Sequence, residues 1–382
     1  MIGVAVLGST GSIGRQTLEV IAALPDRFAV RGLAAGHGDP SLLEQLHRWP
    51  DVAWWCPDTD ARRHAPERWT DGGLSALATR PDVELVVVAT TGMAALPAVL
   101  DALGSGRRVA LANKETLVTG GHLVTRALDG LGAARLDWLR PIDSEHSAIW
   151  QCLAGERLDS VRRLVLTASG GPFRGRDAAS LASVTPEDAL AHPTWRMGPK
   201  ITVDSATLVN KAFEVIEAKW LYQLPYPKID AVIHPQSVVH SLVEFADGSY
   251  KAQMGMPDMR LPIQYALTYP DRMPSPAAAA SPPEWGSLEF TALTAGAYPA
   301  YDVVRQAAEA GGNRGTILNA ADEVAVEAFL AGRIPLPRIG EVIAESVDRW
   351  GVPEEPSLEG IVALDGEVRA ALRTELALRG DA

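Results

Sequence analysis

Two carboxylates two positions apart, Asp143 and Glu145 in Ile142-Asp143-Ser144-Glu145-His146, stand between a strand-like run and a helix-like run. At the C-terminal end of a strand in an open α/β sheet, where ligands gather, such a pair forms half a site for a divalent cation. Hard ions such as Mg²⁺ and Mn²⁺ take carboxylate oxygen in preference to thiolate or imidazole. The same residues also read as an ordinary helix start. A second polar cluster follows at 205–214. In a helix capped by Asp204 or Ser205, Asn210 and Glu214 are i,i+4 and Lys211 and Glu214 are i,i+3, so the three share a face. An amide, an ammonium and a carboxylate so placed can hold a phosphate at one end and a metal at the other. On that stretch alone a solvated salt bridge is the better account, and Glu217, one turn on, fits the plainer description.

Between the clusters lie Ala168-Ser169-Gly170-Gly171-Pro172-Phe173-Arg174 and His192-Pro193-Thr194-Trp195-Arg196-Met197-Gly198. The first offers a hydroxyl and glycine amides to a phosphate. The second places Trp195 in a loop bounded by proline and glycine, the make-up of a water-excluding lid, although such an aromatic can simply pack on its domain. Asn113-Lys114-Glu115 follows another strand, where Lys114 can meet substrate oxygens or a phosphate and Glu115 can favour a helix N-terminus. His234 and His240 have the spacing of one strand face, but a structural use of both ranks above metal ligation.

These groups need a frame. Gly8-Ser9-Thr10-Gly11-Ser12-Ile13-Gly14 follows the first strand and opens the first helix, a variant of the dinucleotide fingerprint spaced GxxGxxG. Its glycines allow close approach of a pyrophosphate to free N–H groups and the positive helix end. The second strand ends in Leu33-Ala34-Ala35-Gly36-His37-Gly38, with no acid until Asp39. An NAD site commonly has an acid there for the ribose 2′-hydroxyl; its absence leaves room for a 2′-phosphate, to which His37 can donate, and favours NADP.

Strand candidates at 4–7, 29–34, 85–89, 109–112 and 135–139 alternate with helical stretches at 14–24, 41–48, 93–103 and 115–129, which predicts a doubly wound parallel sheet of Rossmann type over residues 1–140. Residues 141–268 mix strands at 161–167, 229–233, 238–245 and 249–254 with a helix at 206–222, an α+β catalytic domain. The proline- and alanine-rich stretch 269–292 reads as a linker, and 293–382 as a helical domain with helices at 301–310, 317–330 and 339–350. The chain has 382 residues, about 47% hydrophobic, with no run near the roughly 20 apolar residues that cross a bilayer. Its N-terminus lacks a basic region, so no signal peptide is expected. Cys56 and Cys152 stand far apart and suit a reducing cytoplasm. A formal charge of −12 argues against nonspecific nucleic-acid binding, while leaving small phosphorylated ligands open.

Taken together, the strings GSTGSIG (8–14), ALANKE (110–115), IDSEH (142–146), TASGGPF (167–173), HPTWRMG (192–198), DSATLVNKAFEVIEAKWL (204–221), IHPQSVVHSLVEFADGS (233–249), PDMRLPIQYAL (257–267) and LNAADEVAVEAFL (318–330) closely resemble the 1-deoxy-D-xylulose 5-phosphate reductoisomerases of the non-mevalonate isoprenoid pathway. The resemblance implies metal-dependent rearrangement of 1-deoxy-D-xylulose 5-phosphate, then NADPH reduction to 2-C-methyl-D-erythritol 4-phosphate. It implies Asp143, Glu145 and Glu214 as ligands of Mn²⁺ or Mg²⁺, with Co²⁺ a further candidate. Ser169, Ser205, Asn210 and Lys211 would hold the substrate phosphate with His192 near, and Lys114, Ser144 and Glu145 would meet its oxygenated carbons. Thr10, Gly11, Ser12, Ile13, Gly36, His37, Gly38, Asn113, Glu115 and Gly198 would line the NADPH site, and Trp195 would close the lid. The family implies a cytoplasmic homodimer.

Three positions depart from its pattern. His37-Gly38 replaces a basic or small residue followed by Asn, Arg196 fills a variable lid position, and Asp322 turns the usual NAANE into NAADE, a change expected to matter little for chemistry. The rival readings are an NADP-dependent sugar or semialdehyde dehydrogenase, which needs no carboxylate triad, and a non-catalytic NADP sensor, which needs only the nucleotide loop.

Overall fold

The computed structural model describes residues 1–132, 135–195 and 197–377. They form two compact units, between which the chain passes several times. The first comprises Met1–Thr116, Leu123–Trp150 and Asp258–Ala279, the second Leu117–His122, Gln151–Pro257 and Ala280–Ala382.

The first unit is built on six parallel strands: β1 (Ile2–Leu7), β2 (Phe28–Ala34), β3 (Ala53–Trp55), β4 (Leu85–Val88), β5 (Arg108–Leu111) and β6 (Leu139–Pro141), in the order β3-β2-β1-β4-β5-β6. Val4 to Leu7 and Val86 to Val88 are wholly buried, as expected of central strands covered on both faces. The order reverses between β1 and β4, which opens the ligand crevice of a doubly wound sheet beside the glycine loop. Trp150, Tyr265 and Tyr269 form an aromatic cluster with ring centroids 4.6–5.7 Å apart, and Arg27 pairs with Asp271 at 2.7 Å. Residues 258–279 therefore belong with the first sheet, although the sequence divided them between the catalytic domain and the linker. Where a strand was expected over 135–139 there is a half-exposed helical turn, Arg135–Trp138, and the strand begins only where burial becomes continuous, at Leu139.

The second unit carries a mixed sheet of β7 (Val161–Ala168), β8 (Ile229–Ile233), β9 (Val239–Phe245), β10 (Tyr250–Met254) and β11 (Thr291–Ala292), ordered β10-β9-β7-β8-β11. Only β7 and β8 run parallel. The proline-rich stretch supplies β11 and a helical turn, Pro282–Trp285, held by a Ser281–Glu284 capping box, so it is more structured than a linker. Helices Pro299–Ala310, Arg314–Leu330, Arg338–Trp350 and Leu358–Glu375 follow. Arg314–Leu330 is buried nearly all round, which makes it the axis of the helical part.

One difference reaches the functional residues. The helix expected over 206–222 is two helices, Pro199–Thr207 and Val209–Tyr222, joined at Leu208 with φ +58°. Gly198 and Pro199 start the first one earlier than Asp204 would, because proline suits the first helical position. Thr207 Oγ1 bonds back to the carbonyls of Val203 and Asp204, both at 3.2 Å, and so competes with continuation of the helix. Asp204 and Ser205 consequently lie within the first helix, and Asn210, Lys211 and Glu214 on the second.

Leu208 is buried in a left-handed conformation that costs a branched residue about 1–2 kcal/mol. Leu208→Gly and Leu208→Ala lose the same packing, but glycine relieves the strain. The glycine variant should therefore have the higher denaturation midpoint, the reverse of the usual helix order. A more stable alanine variant would remove strain at this joint from consideration.

Candidate active site

The first functional edge lies where β1 and β2 end. Gly8 and Ser9 donate their N–H groups to Ala34 O at 2.8 and 2.7 Å, which pins the glycine loop to the end of β2. Gln45 Nε2 holds Ser9 O at 2.9 Å. Thr10, Gly11, Ser12 and Ile13 form the crest of the loop, and the helix Ser12–Ala23 has neither a side-chain cap nor an acidic residue in its first turn. Its N–H groups and positive end are thus available to an anion. Gly36 and His37 are exposed. A Cβ at Gly38 would come within 2.3 Å of the Ala61 methyl, so the family's usual asparagine has no space there. The same point lies 3.2 Å from a carboxylate oxygen of Asp58, an acid that reading the second strand alone did not reveal. Asp39 is committed elsewhere, accepting Leu42 N at 3.0 Å as a helix cap.

Asn113 is buried with its side chain fully engaged. Nδ2 donates to Thr90 O at 2.8 Å and Gly92 O at 2.6 Å, and Oδ1 accepts from Thr116 N and Oγ1. Its amide braces the crevice, which leaves contact with a cofactor to its backbone. The β5–β6 register brings Leu111 beside Pro141, so the residues leaving these strands lie side by side. Hence Lys114 Nζ reaches Asp143 Oδ2 at 2.6 Å, with both side chains largely buried. Ser144 Oγ donates to Glu145 Oε2 at 2.6 Å in the first turn of the helix Ser144–Leu153. Lys114, Asp143, Ser144 and Glu145 form one polar cluster on the first unit, and Glu115 opens the helix Glu115–Asp129 beside it.

On the second unit, Ser169 leaves β7 and meets His192, Oγ to Nε2 3.1 Å. His192 Nδ1 accepts from Thr194 N at 3.1 Å and Trp195 N at 2.9 Å. An acceptor Nδ1 fixes the neutral tautomer with its proton on Nε2, and Nε2–H therefore donates to Ser169 Oγ. Burial pushes the imidazole below the ordinary histidine range. The glycine turn packs on the Pro199–Thr207 helix: Gly171, at φ +65°, leaves only 2.6 Å between a built Cβ and Ser205 O. Tyr298, which no motif or spacing singled out, donates its hydroxyl to Gly170 O at 2.9 Å and braces the turn. Asn210 Nδ2 and Lys211 Nζ bind the two oxygens of Glu214, which is 1% exposed, as the helix spacing required. Trp195 is half-buried and Gly198 caps the next helix; Arg196 lies outside the described residues.

Three expectations change. Glu217 is fully buried, because the face it shares with Phe213 and Glu214 turns inward, and so it is not a solvated charge. His234 and His240 do not share a strand: His234 follows β8, its Nδ1 donating to Glu289 O at 2.8 Å and its Nε2 accepting from Val238 N and Val239 N, a structural use. Asp322 is fully buried and lies 2.6 Å from Lys200 Nζ, which also binds Asp204 at 2.7 Å. The Asp322 substitution therefore ties the Arg314–Leu330 helix to the one that carries Ser205. Lys200 was missed because its partner lies more than a hundred residues away in the sequence.

Models of the 1-deoxy-D-xylulose 5-phosphate reductoisomerase family match residues 4–121 and, as C-terminal domains of the same enzyme, residues 139–222 and 254–371. The reductoisomerase of Pelotomaculum thermopropionicum is 47% identical over 375 residues, 96% of each chain, and that of Moorella thermoacetica is 48% identical over 376 residues, again 96% of each. Among solved structures, a reductoisomerase in complex with NADPH, fosmidomycin and magnesium superposes with a TM-score of 0.91 at 36% identity over the full length of both chains. The Zymomonas mobilis enzyme with NADPH gives 0.89 at 37% identity, covering 98% of this chain and 99% of its own. With its motifs in order and its length matched throughout, this chain belongs to the 1-deoxy-D-xylulose 5-phosphate reductoisomerase family.

Proposed function

We infer that this chain rearranges 1-deoxy-D-xylulose 5-phosphate and reduces the product with NADPH to 2-C-methyl-D-erythritol 4-phosphate, using a divalent cation. The observation that carries the reading is the presence, in a chain that matches reductoisomerases end to end, of a partly buried carboxylate, Asp143, and a fully buried one, Glu214, each held by a lysine. A simple dehydrogenase or an NADP sensor has no use for them. The oxygen-only donor set of Asp143, Glu145 and Glu214 fits Mg²⁺ or Mn²⁺, and we assign the metal to these three. When bound, the ion polarises the substrate's carbonyl and adjacent hydroxyl and so eases carbon–carbon cleavage and re-formation.

The protein's own groups do the rest. Ser169, Ser205, Asn210 and Lys211 hold the phosphate, whose remote binding supplies orientation energy. The Nε2–H of neutral His192 orients the Ser169 hydroxyl. Lys114 and Ser144 bind the substrate's oxygens, and Glu145, beside Ser144, is placed to take up a proton. The uncapped helix end at Thr10–Ile13, with Gly36, His37, Glu115 and Gly198, receives NADPH. Trp195 excludes water while hydride passes to a reactive aldehyde.

We assign the chain to the cytoplasm as a homodimer. Cys56 and Cys152 are buried free thiols, no helix among the described residues is long and apolar enough to cross a membrane, and β10 presents an edge with Tyr250 exposed.

Glu214→Gln should remove turnover while leaving NADPH affinity nearly intact, and chelation of the wild type should do the same until Mn²⁺ or Mg²⁺ is restored. A variant retaining more than about a tenth of the turnover, a loss of only about 1.4 kcal/mol, would refute the ligand assignment. Glu217→Gln, at a fully buried site, should lower the melting temperature, whereas an exposed charge would leave it unchanged.

NADPH should be preferred to NADH. If His37 donates to the 2′-phosphate, His37→Ala narrows the ratio of kcat/KM values and His37→Lys widens it. An unchanged ratio in both variants would transfer that task to the backbone.

His192 has a folded-state pKa below its unfolded value of about 6.5. The unfolded chain therefore takes up the proton first, and this group's contribution to stability is present above about pH 6.5 and lost as the pH falls below it. Melting temperature between pH 7.5 and 5 should consequently fall less steeply in His192→Gln than in the wild type. Identical slopes would exclude the neutral tautomer as a stabilising element.

A further inference from the structure

Arg140 is a buried cation that forms no ion pair among the described residues. It lies on β6 with 5% of its surface exposed, where Nε donates to Asp137 O at 3.3 Å and Nη1 to Ala266 O at 2.8 Å. The guanidinium carbon is 5.5 Å from the Tyr269 ring centroid. Among the described residues no carboxylate forms an ion pair with it; burial and the nearby Arg108 push it down to about 10 against the opposing charge of Asp137, which acts without a direct side-chain contact. A buried charge without a partner is unfavourable, so something outside the chain should offset it.

The same residue lines a cavity of about 530 Å³, within the size range of small-molecule sites. Ile2 and Arg108, the first residues of β1 and β5, also line it, which places it at the end of the sheet opposite the glycine loop. Three arginines face it against two aspartates. Arg27 is spent on Asp271, but the Arg108 guanidinium has no partner among the described residues, and the buried Trp138 Nε1 has none either. Arg108 and Arg140 thus line one space, with Trp138 and Tyr269 supplying its aromatic lining.

We propose that this cavity is a second anion site, which takes a small multivalent oxyanion of the phosphate-ester or diphosphate class through Arg108 and Arg140. Guanidinium forks suit such oxygens. Its position gives it a regulatory character. Arg140 stands three residues before Asp143 and Arg108 six before Lys114, so an anion bridging the two arginines grips the same two segments that carry the Lys114–Asp143 pair.

The test is calorimetric titration of inorganic diphosphate into the metal-free full chain at constant ionic strength. A Lys211→Gln background weakens the substrate-phosphate residues and keeps the two sites apart. With the glycine loop occupied by saturating NADP⁺, one binding event is expected, at least tenfold weaker with Arg108→Ala and absent with Arg140→Leu. In the Lys211→Gln background diphosphate should raise the melting temperature with Arg140 present and leave that of the Arg140→Leu variant unchanged. Without the anion, Arg140→Leu should melt no lower than its parent, since it removes an uncompensated charge. Equal diphosphate affinity in all three proteins, or no binding in the parent, overturns the proposal. Within the class, tighter binding of phenyl phosphate than of inorganic phosphate assigns the aromatic wall to an ester's organic part, and the reverse order assigns the site to the inorganic anion.

Discussion

A carboxylate taken out of water is stabilised by a nearby cation, and this protein meets four of them with three lysines. Lys114 holds Asp143, Lys211 holds Glu214, and Lys200 holds Asp204 and Asp322. Removing one member of a buried pair typically costs about 3–5 kcal/mol, so each pair fixes the segments that carry it. The first fixes the exits of β5 and β6, the second the face of the Val209–Tyr222 helix, and the third the helix that bears Ser205. Lysine is a compact charge on a flexible stem, able to yield a carboxylate to a stronger cation while remaining near enough to bind a phosphate or an alkoxide. In the proposed reaction, structural support and chemistry would draw on the same charges.

The parts of this arrangement set by local spacing were legible in the sequence. Continuous apolar runs mark β1, β4 and β5, and their alternation with helical stretches predicts the parallel sheet. Helical spacing alone puts Asn210 and Lys211 on the Glu214 face. What was not legible depends on segments distant in the chain. The break at Leu208 turns on a left-handed residue that no leucine advertises. Glu217 reads as solvated until the packing of its helix is known, and Asp322 reads as a harmless substitution until Lys200 is found against it. Residues 258–279 look like the end of one domain and the start of a linker, yet their tyrosines pack on Trp150 in the first unit.

The cofactor edge shows how a departure from a family pattern acquires a physical cause. Gly38 has no room for a side chain because Ala61 fills the space, and Asp58 comes to the same turn. On the proposed reading, recognition of the 2′-phosphate is left to His37 or the backbone, in an environment more acidic than the second strand suggests. The helix after the glycine loop remains uncapped and has no acid in its first turn, which leaves its positive end open to an anion.

The central claim is that the lysine-held carboxylates serve a carbon-skeleton rearrangement and not hydride transfer alone. The most direct measurement follows NADPH absorbance with 1-deoxy-D-xylulose 5-phosphate and Mg²⁺ and identifies the product by NMR. Stoichiometric NADPH consumption with formation of the branched 2-C-methyl-D-erythritol 4-phosphate is the expected result. Reduction to an unbranched polyol phosphate, or no turnover with metal and cofactor both supplied, would contradict it.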